Sequence, residues 1–479
     1  MIIRQTVLCL KGDNTMIKIG LLICCSDNYF AQEYKIPESY TKGVGNLAKQ
    51  LDAQILPYAP VKDAEQTRAA KVYFTVQKVD YVLILCAAFS SGDIMMEFDG
   101  WPTPIGVWAA QEPEKSGDIQ LNAVVSMNLF ISIAQRSFLH KKRVKWFYGS
   151  PENKQFRQRF KVSVQALHGV QRMQTGRIGI LGDVAPTFYN LEADRKTAAA
   201  LGISFVSITM EEIQQVVNNL SAKEIENMEQ AILTSAHDTK QLPEASLFAG
   251  AQVLAALCQL VDTYQIHALS ACCWPDFQDM FSIVPCVPFT LLAQIKGVPV
   301  ACEGDVGGAI SLMLAHAVSG CLPTLMDVTE ITPAENELLL WHCGIGSVEL
   351  QSSKQSAIVA HPMLDRKNPG RVLMGLSYDY AFRAVPVTLL RYSNNHQLFA
   401  IDAAVSDKQA GFTGTRGHIG SFTRSAMVYR VEDVFETLMS NGIEHHLIVC
   451  PTQIEQALKE ATALLDIPYI KMKQQEAAL

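Results

Sequence analysis

The sequence predicts an α/β protein in which two doubly wound parallel-sheet domains stand in tandem and a β-rich, barrel-like or sandwich-like domain follows. Three observations carry this. From residue 16 short β-branched runs alternate with longer helical periods; the alternation restarts at residue 177; and beyond about residue 346 Gly, Pro and Ser punctuate short alternating runs with few helical periods. Strands separated by helices of about ten or more residues make βαβ units whose sheet is covered on both faces. Closely spaced short strands instead close a barrel or pack as a sandwich. A chain of 479 residues, 49% hydrophobic and 18% charged, is a folded protein too long for one core. The expected boundaries are an N-terminal extension at 1–15, α/β domains at 16–172 and 173–345, and the β-rich domain at 346–479.

In chain order, Ile17–Cys24 reads as a buried strand followed by helix signals near 41–52. Tyr81–Cys86 and Ile105–Trp108 read as further strands, 125–140 as a helix, and Val144–Tyr148 as a strand. A charged helical stretch at 151–173 leads to a strand at Arg177–Gly182, a helix across 190–201 and a strand at Ile203–Ile208. Helical periods at 210–240 and 245–264 follow, then a strand at Ile266–Ala271, a helix at 286–296, Val298–Ala301, a helix at 306–318 and a strand at Thr324–Val328. Val372–Tyr378, Ala384–Tyr392 and Leu398–Ala404 are the short runs of the last domain, which closes on a strand at His446–Val449 and a helix at 452–465.

Composition excludes several classes. A formal charge of -7 with no run of five or six Lys or Arg gives no field for nucleic acid, and His140-Lys141-Lys142-Arg143 reads as a solvated helix end. Twelve Cys without regular spacing, several inside apolar runs such as Cys24-Cys25 and Cys272-Cys273, fit reduced thiols in a cytoplasm rather than a disulfide framework. The apolar run Val7-Leu8-Cys9-Leu10 is too short for a signal-peptide core, and no membrane span is read elsewhere.

Gly179-Ile180-Leu181-Gly182-Asp183 and Gly304-Asp305-Val306-Gly307-Gly308 both lack the glycine and lysine spacing of nucleotide loops. Asp305 reads as the N-cap of the helix starting near Val306. Glu303 follows the apolar Val298-Pro299-Val300-Ala301, so it stands at the carboxyl end of a buried parallel strand, where ligands of open α/β sheets bind. Asp327 ends the next apolar strand; a strand–helix–strand unit would bring both carboxylates to one sheet edge, although two unrelated turn residues fit the spacing as well. His446 begins a late apolar run. Together Glu303, Asp327 and His446 offer two hard oxygens and one imidazole, a divalent-metal set with room for substrate. His342, at the end of Leu338-Leu339-Leu340-Trp341, reads first as a satisfied core histidine. His445 and His446 alternate along a strand, so only one is expected to face the site. No Cys or His spacing suits zinc.

The motifs Cys273-Trp274-Pro275-Asp276-Phe277-Gln278, Gly297 through Cys302-Glu303-Gly304-Asp305, Asp327, His342-Cys343-Gly344 and His445-His446, in this order, resemble the L-fucose/L-arabinose isomerase family over residues 16–479. The resemblance implies two Rossmann-like α/β domains and a C-terminal barrel-like domain. It implies that Glu303, Asp327 and His446 hold a divalent metal, usually Mn²⁺, that the two carboxylates also move protons, and that subunits form trimer-based hexamers with sites completed by a neighbour. Trp274 and Gln278 are then expected to line the pocket, and His342 matches a position where arabinose isomerases use a further histidine ligand. The chain is shorter than the hexose-type L-fucose isomerases, and the segment 411–423, which reads as a loop, has no counterpart that names the sugar. Arg416 and His418 in that segment are candidates to grip the sugar, against a simpler role in internal polar contacts. The expected reaction is aldose–ketose isomerisation of a free sugar (a pentose, a 6-deoxyhexose or a 6-substituted hexose such as sulfoquinovose) through a cis-enediol. A sugar epimerase or lyase, or a sugar-binding relative without turnover, are the alternatives.

Overall fold

The computed structural model describes residues 16–137, 144–352, 355–364 and 375–473. The extension 1–15, the basic stretch 140–143, the end of the expected 125–140 helix and the first three residues of the Val372–Tyr378 run lie outside them. The chain forms two compact units, one running to His168 and including Ala463–Asp466, the other comprising Gly169–Thr462 with the chain from Ile467.

The first unit is built on β1 (Ile17–Cys24), α1 (Ile36–Lys49), β2 (Ala53–Pro57), α2 (Ala64–Gln77), β3 (Tyr81–Cys86), the single turn α3 (Asp93–Met96), β4 (Ile105–Ala109), α4 (Ala123–Ser137) and β5 (Val144–Tyr148). Its five strands are all parallel, in the order β2-β1-β3-β4-β5. β3 and β4 are buried along their whole length, as strands covered by helices on both faces must be. Neither β2 nor α2 carries an apolar run long enough to stand out in the sequence. α2 is fixed instead by its cap, with the Asp63 side chain accepting from the Gln66 N–H.

After α5 (Lys154–Thr175), the second unit begins with β6 (Arg177–Leu181), α6 (Arg195–Ala200), β7 (Ser204–Ile208), α7 (Met210–Val217), α8 (Ala222–Thr234), α9 (Glu244–Tyr264) and β8 (Ala268–Ala271). It continues with α10 (Asp276–Phe281), α11 (Cys286–Lys296), β9 (Val300–Ala301) and α12 (Val306–Ser319). Here four parallel strands lie in the order β7-β6-β8-β9. Capping boxes at Thr209/Glu212 and Ser221/Glu224 start α7 and α8. By length and composition α9 would suffice to cross a membrane, but 61% of its most apolar window is buried within the fold. It is a core helix.

The rest of this unit is β10 (Thr324–Thr332), β11 (Glu337–His342), β12 (Ala357–Val359), β13 (Ser377–Ala381), β14 (Pro386–Tyr392), β15 (Leu398–Val405), β16 (Thr415–Arg424), β17 (Met427–Val428), α13 (Val431–Ser440), β18 (His446–Cys450) and α14 (Glu455–Leu464). Six of these strands close into an antiparallel barrel, β11-β10-β18-β14-β15-β16, with β16 pairing back onto β11. The fold is thus α/β with a C-terminal barrel, as the sequence predicts. One hydrophobic core, running from Leu181 to Ile470, joins the parallel sheet and the barrel inside this unit.

Two expectations are corrected. The Thr324–Val328 strand does not extend the parallel sheet: it is the first part of β10 and belongs to the barrel, where Asp327 pairs with His446 on one side and Trp341 on the other. The 411–423 segment is not a loop throughout, because Thr415 onward is β16. The first error arises because an apolar run does not say which sheet it joins when one of its neighbours, here β18, stands far along the chain.

The junction after β9 admits no side chain at Gly304, which has φ +72; a Cβ there would stand 2.4 Å from the Asp183 carbonyl oxygen. Gly304→Ala is therefore expected to lower stability by roughly 2–4 kcal/mol, read as a shift in the denaturant midpoint at unchanged slope.

Candidate active site

Glu303 sits in a single 3₁₀ turn, Cys302–Gly304, where β9 ends. Its backbone is left-handed, φ 63 and ψ 18, a costly conformation for a residue with a Cβ and one that clusters at functional sites. The strain directs the carboxylate toward the start of β18. Glu303 Oε2 lies 3.3 Å from His446 Nε2 and 3.5 Å from His445 Nε2, and Asp327 Oδ1 lies 3.4 Å from His446 Nε2. His342, last residue of β11, brings its ring to 5.8 Å from that of His446. The liganding atoms of Asp327, His342 and His446 lie within 4.8 Å of one another, as do those of Glu303, His445 and His446.

Three atoms at this meeting point, Glu303 Oε2, His446 Nε2 and His342 Nε2, are buried without a hydrogen-bond partner. Contacts of 3.3–3.5 Å are long for hydrogen bonds, and orphaned buried polar atoms are costly. Two carboxylate oxygens facing a ring nitrogen call for a positive charge among them, which a divalent cation supplies. The donor set therefore fits a hard or borderline metal ion.

His446 is prepared for that role by what stands behind it. Its Nδ1 donates to Asp305 Oδ2 at 2.9 Å, leaving Nε2 to face the carboxylates. Asp305 caps α12 as the sequence predicts, accepting from the Gly308 N–H at 2.8 Å. It also receives Arg391 as a two-pronged ion pair, with Nη2 2.9 Å from Oδ1. Arg391 Nε in turn donates to Glu444 Oε2 at 2.9 Å, and Asp305 and Arg391 have no exposed side-chain surface. The Gly307-Gly308 pair has its explanation here. A Cβ at Gly308 would meet the Asp305 carboxylate at 2.5 Å and one at Gly307 the Arg391 guanidinium at 2.9 Å, so the glycines admit a buried ion pair rather than a phosphate.

Burial pulls the His446 imidazole down, but the carboxylates of Asp305, Glu303 and Asp327 outweigh it and push the ring up to about 10. Burial pushes Glu303 and Asp305 up, yet imidazoles on Glu303 and Arg391 with His446 on Asp305 hold both well below the usual carboxylate range.

Contrary to the alternation argument, His445 also reaches the group, because it precedes β18 and is not held to the strand's pleat. Asn190 Nδ2 lies 3.1 Å from its Nδ1, and Phe188 packs on its ring at 5.3 Å. Trp274 stands edge-on to Phe188 at 6.3 Å, so it belongs to the same wall. Gln278 instead braces its own loop, donating to the Cys273 and Ile283 carbonyls at 3.1 and 3.2 Å. Arg416 and His418 are not brought to the group. Arg416 is held by Asp379 at 2.6 Å and by the Gln409 and Gly414 carbonyls, and His418 by the Ala410 carbonyl and Glu337. Sequence reasoning missed Arg391, Glu444 and Asn190. The one signal for Arg391 was a charge inside the apolar run Val387–Tyr392.

No family model matches the chain. It is 23% identical over 424 residues to the sulfoquinovose isomerase of Priestia aryabhattai, covering 86% of this chain and 90% of that protein. It is 25% identical over 404 residues to the sulfoquinovose isomerase of Alkalicoccus urumqiensis, covering 82% and 86%. Among solved structures, an ABC-transporter periplasmic solute-binding protein from Actinobacillus succinogenes 130z with bound D-allose is 15% identical over 64% of this chain and 85% of that one, at a TM-score of 0.17 too low to carry an argument. The two relatives make this chain an isomerase enzyme.

Replacing Asp305 by Asn removes the charge that holds Arg391 and orients His446. Divalent-metal affinity, measured by titration calorimetry, is expected to fall roughly 10–100-fold, with a loss of roughly 3–5 kcal/mol in stability. In metal-free protein the pH dependence follows from the same groups. The depressed carboxylates stabilise above their ordinary values near 4 and lose that contribution in acid. His446, raised from 6.5 to about 10, stabilises fully below 6.5 and loses its contribution as pH climbs to 10. Thermal scans of chelated protein should peak between about pH 5 and 6.5, and His446→Gln should flatten the alkaline limb.

Proposed function

We propose that the chain is a metal-dependent aldose–ketose isomerase acting on a free sugar through a cis-enediol. The observation that carries this reading is the pair of carboxylates, Glu303 and Asp327, flanking one buried imidazole nitrogen. Two carboxylates at one cation can ligate it and also leave an acid–base group beside a bound sugar. Glu303, Asp327 and His446 would hold the ion, Mn²⁺ by the resemblance to L-fucose and L-arabinose isomerases. A bound divalent ion supplies Lewis-acid polarisation of a sugar carbonyl and its neighbouring hydroxyl.

The residues do the rest. One carboxylate takes the weakly acidic proton from the carbon beside the carbonyl and returns it to the adjacent carbon, while the other serves the oxygens. Glu303, strained and enclosed between two imidazoles, keeps a fixed aim. Asp327, with 30% of its side chain exposed, is placed to exchange protons with substrate and solvent. His342 Nε2 and the Trp274–Phe188–His445 wall would orient the sugar. The relatives favour sulfoquinovose among the candidate sugars, and assembly as a trimer-based hexamer belongs to the same reading.

The test is conversion of a panel of pentoses, 6-deoxyhexoses and 6-sulfonated or 6-phosphorylated hexoses by metal-stripped enzyme with and without Mn²⁺, followed by NMR in deuterated water. Metal-dependent ketose formation with deuterium entering at C1 or C2 is expected. Ketose without deuterium would replace the enediol by hydride transfer, and no ketose from any sugar would end the isomerase assignment for these substrates. Glu303→Gln and Asp327→Asn should each lower kcat by roughly 10²–10⁴.

A further inference from the structure

Behind His342 lies a second group of reactive side chains that the proposed chemistry does not use. The sulfurs of Cys286 and Cys343 and a ring nitrogen of His361 lie within 4.8 Å of one another, all three residues buried. They come from three separate places: the first residue of α11, the residue after β11, and the segment following β12. Cys343 touches the candidate active site directly, its Sγ standing 3.3 Å from His342 Nδ1.

The hydrogen bonds decide between a metal site and a thiol pair. A histidine that ligates a metal through one nitrogen normally donates from the other. His361 does the reverse, because its Nδ1 faces the backbone N–H groups of Met363 at 3.2 Å and Leu364 at 3.0 Å and must accept. The ring proton is thereby placed on Nε2, where it is a donor to Cys286. Cys286 also opens an eleven-residue helix, whose N-terminal dipole favours an anion. Hydrogen bonding from Cys343, opposed by burial and joined by His361, holds the Cys286 thiol well below its ordinary range. A stabilised thiolate beside a thiol is the arrangement of an oxidisable pair.

We propose that Cys286 and Cys343 form a modification site at which hydrogen peroxide closes a reversible disulfide behind His342. The Cys286 thiolate attacks one peroxide oxygen and the O–O bond breaks. With one proton taken up, this gives Cys286 sulfenic acid and water. The Cys343 thiol then attacks that sulfur, forming the S–S bond and releasing a second water. Two thiols lose two electrons and peroxide gains them. Peroxide is water-sized, and it has to reach Cys286 through the small opening at the pair, where Cys286 is 2% and Cys343 7% exposed. Closing the bond redirects the Cys343 sulfur from His342 Nδ1. It also acts on the loop that Thr290 ties to α11, since Thr290 Oγ1 donates to the Cys286 carbonyl at 2.9 Å and accepts from the Gly346 N–H at 3.0 Å. The effect on turnover rests on the isomerase reading above; the disulfide does not.

The Mn²⁺-loaded full-length protein is exposed to hydrogen peroxide, quenched, denatured, alkylated and mapped by peptide mass spectrometry. A peptide pair joining Cys286 to Cys343 is expected, reversed by dithiothreitol, with sulfoquinovose turnover reduced roughly 10–100-fold and restored by the same reductant. In Cys343→Ser protein the reaction should stop at a Cys286 sulfenic acid that dimedone captures, and Cys286→Ser protein should yield neither product. Full alkylation of both cysteines after peroxide would overturn the proposal, as would a link joining Cys273 to Cys302 or a soft metal ion retained on these thiols in native mass spectrometry. A mapped Cys286–Cys343 link in a protein that turns over no sugar supports the dithiol while removing the isomerase reading.

Discussion

Arg391 has no exposed surface, yet it carries a full charge into the centre of the second unit, and that charge is tolerable only because Asp305 and Glu444 meet it. Removing one partner of such a group leaves an uncompensated buried ion, which is far more costly than the pair is stabilising. The three residues belong to the start of α12, the end of β14 and the approach to β18, so the ion pair fixes where the parallel sheet's last helix meets the barrel. Everything at the candidate active site hangs from this joint. Asp305 orients His446, His446 faces Glu303 and Asp327, and the glycines after Asp305 exist because the guanidinium needs their space.

The two carboxylates are alike in chemistry and unlike in surroundings. Glu303 is fixed by its own strained backbone and by imidazoles on two sides, whereas Asp327 stands in mid-strand with more of its side chain open. Environments that differ in this way are how one site assigns different proton-transfer duties to similar groups. The buried imidazole between them is pushed toward its charged form by those carboxylates, so a cation bound there would compete with that proton for one position.

Much of this was legible in the sequence, for reasons that differ from residue to residue. Glu303 could be placed because β9 is a short apolar run that ends at it, and the carboxyl end of a parallel strand is where such folds bind ligands. Asp305 was legible as a cap because capping is local, within three residues of Gly308. Its second task was not, since Arg391 lies 86 residues further on and a strand's sequence does not announce which helix it will meet. The same limit led the sequence reading to place β10 in the parallel sheet, whereas it belongs to the barrel, although Asp327 and Glu303 still meet. The His445-His446 alternation failed because the period-2 rule holds only within a strand, and His445 stands one residue before it.

The barrel closes through β18, which lies between β10 and β14 and is the last strand among the described residues. Until His446–Cys450 is inserted, β10 has an unpaired edge and Asp327 has no imidazole opposite it. A chain cut before that strand therefore lacks the imidazole that faces Glu303 and Asp327, and lacks Leu447 and Val449 of the core shared by the parallel sheet and the barrel. The strand that completes the barrel is thus the one that delivers the site's central histidine, so barrel closure and site geometry are reached together.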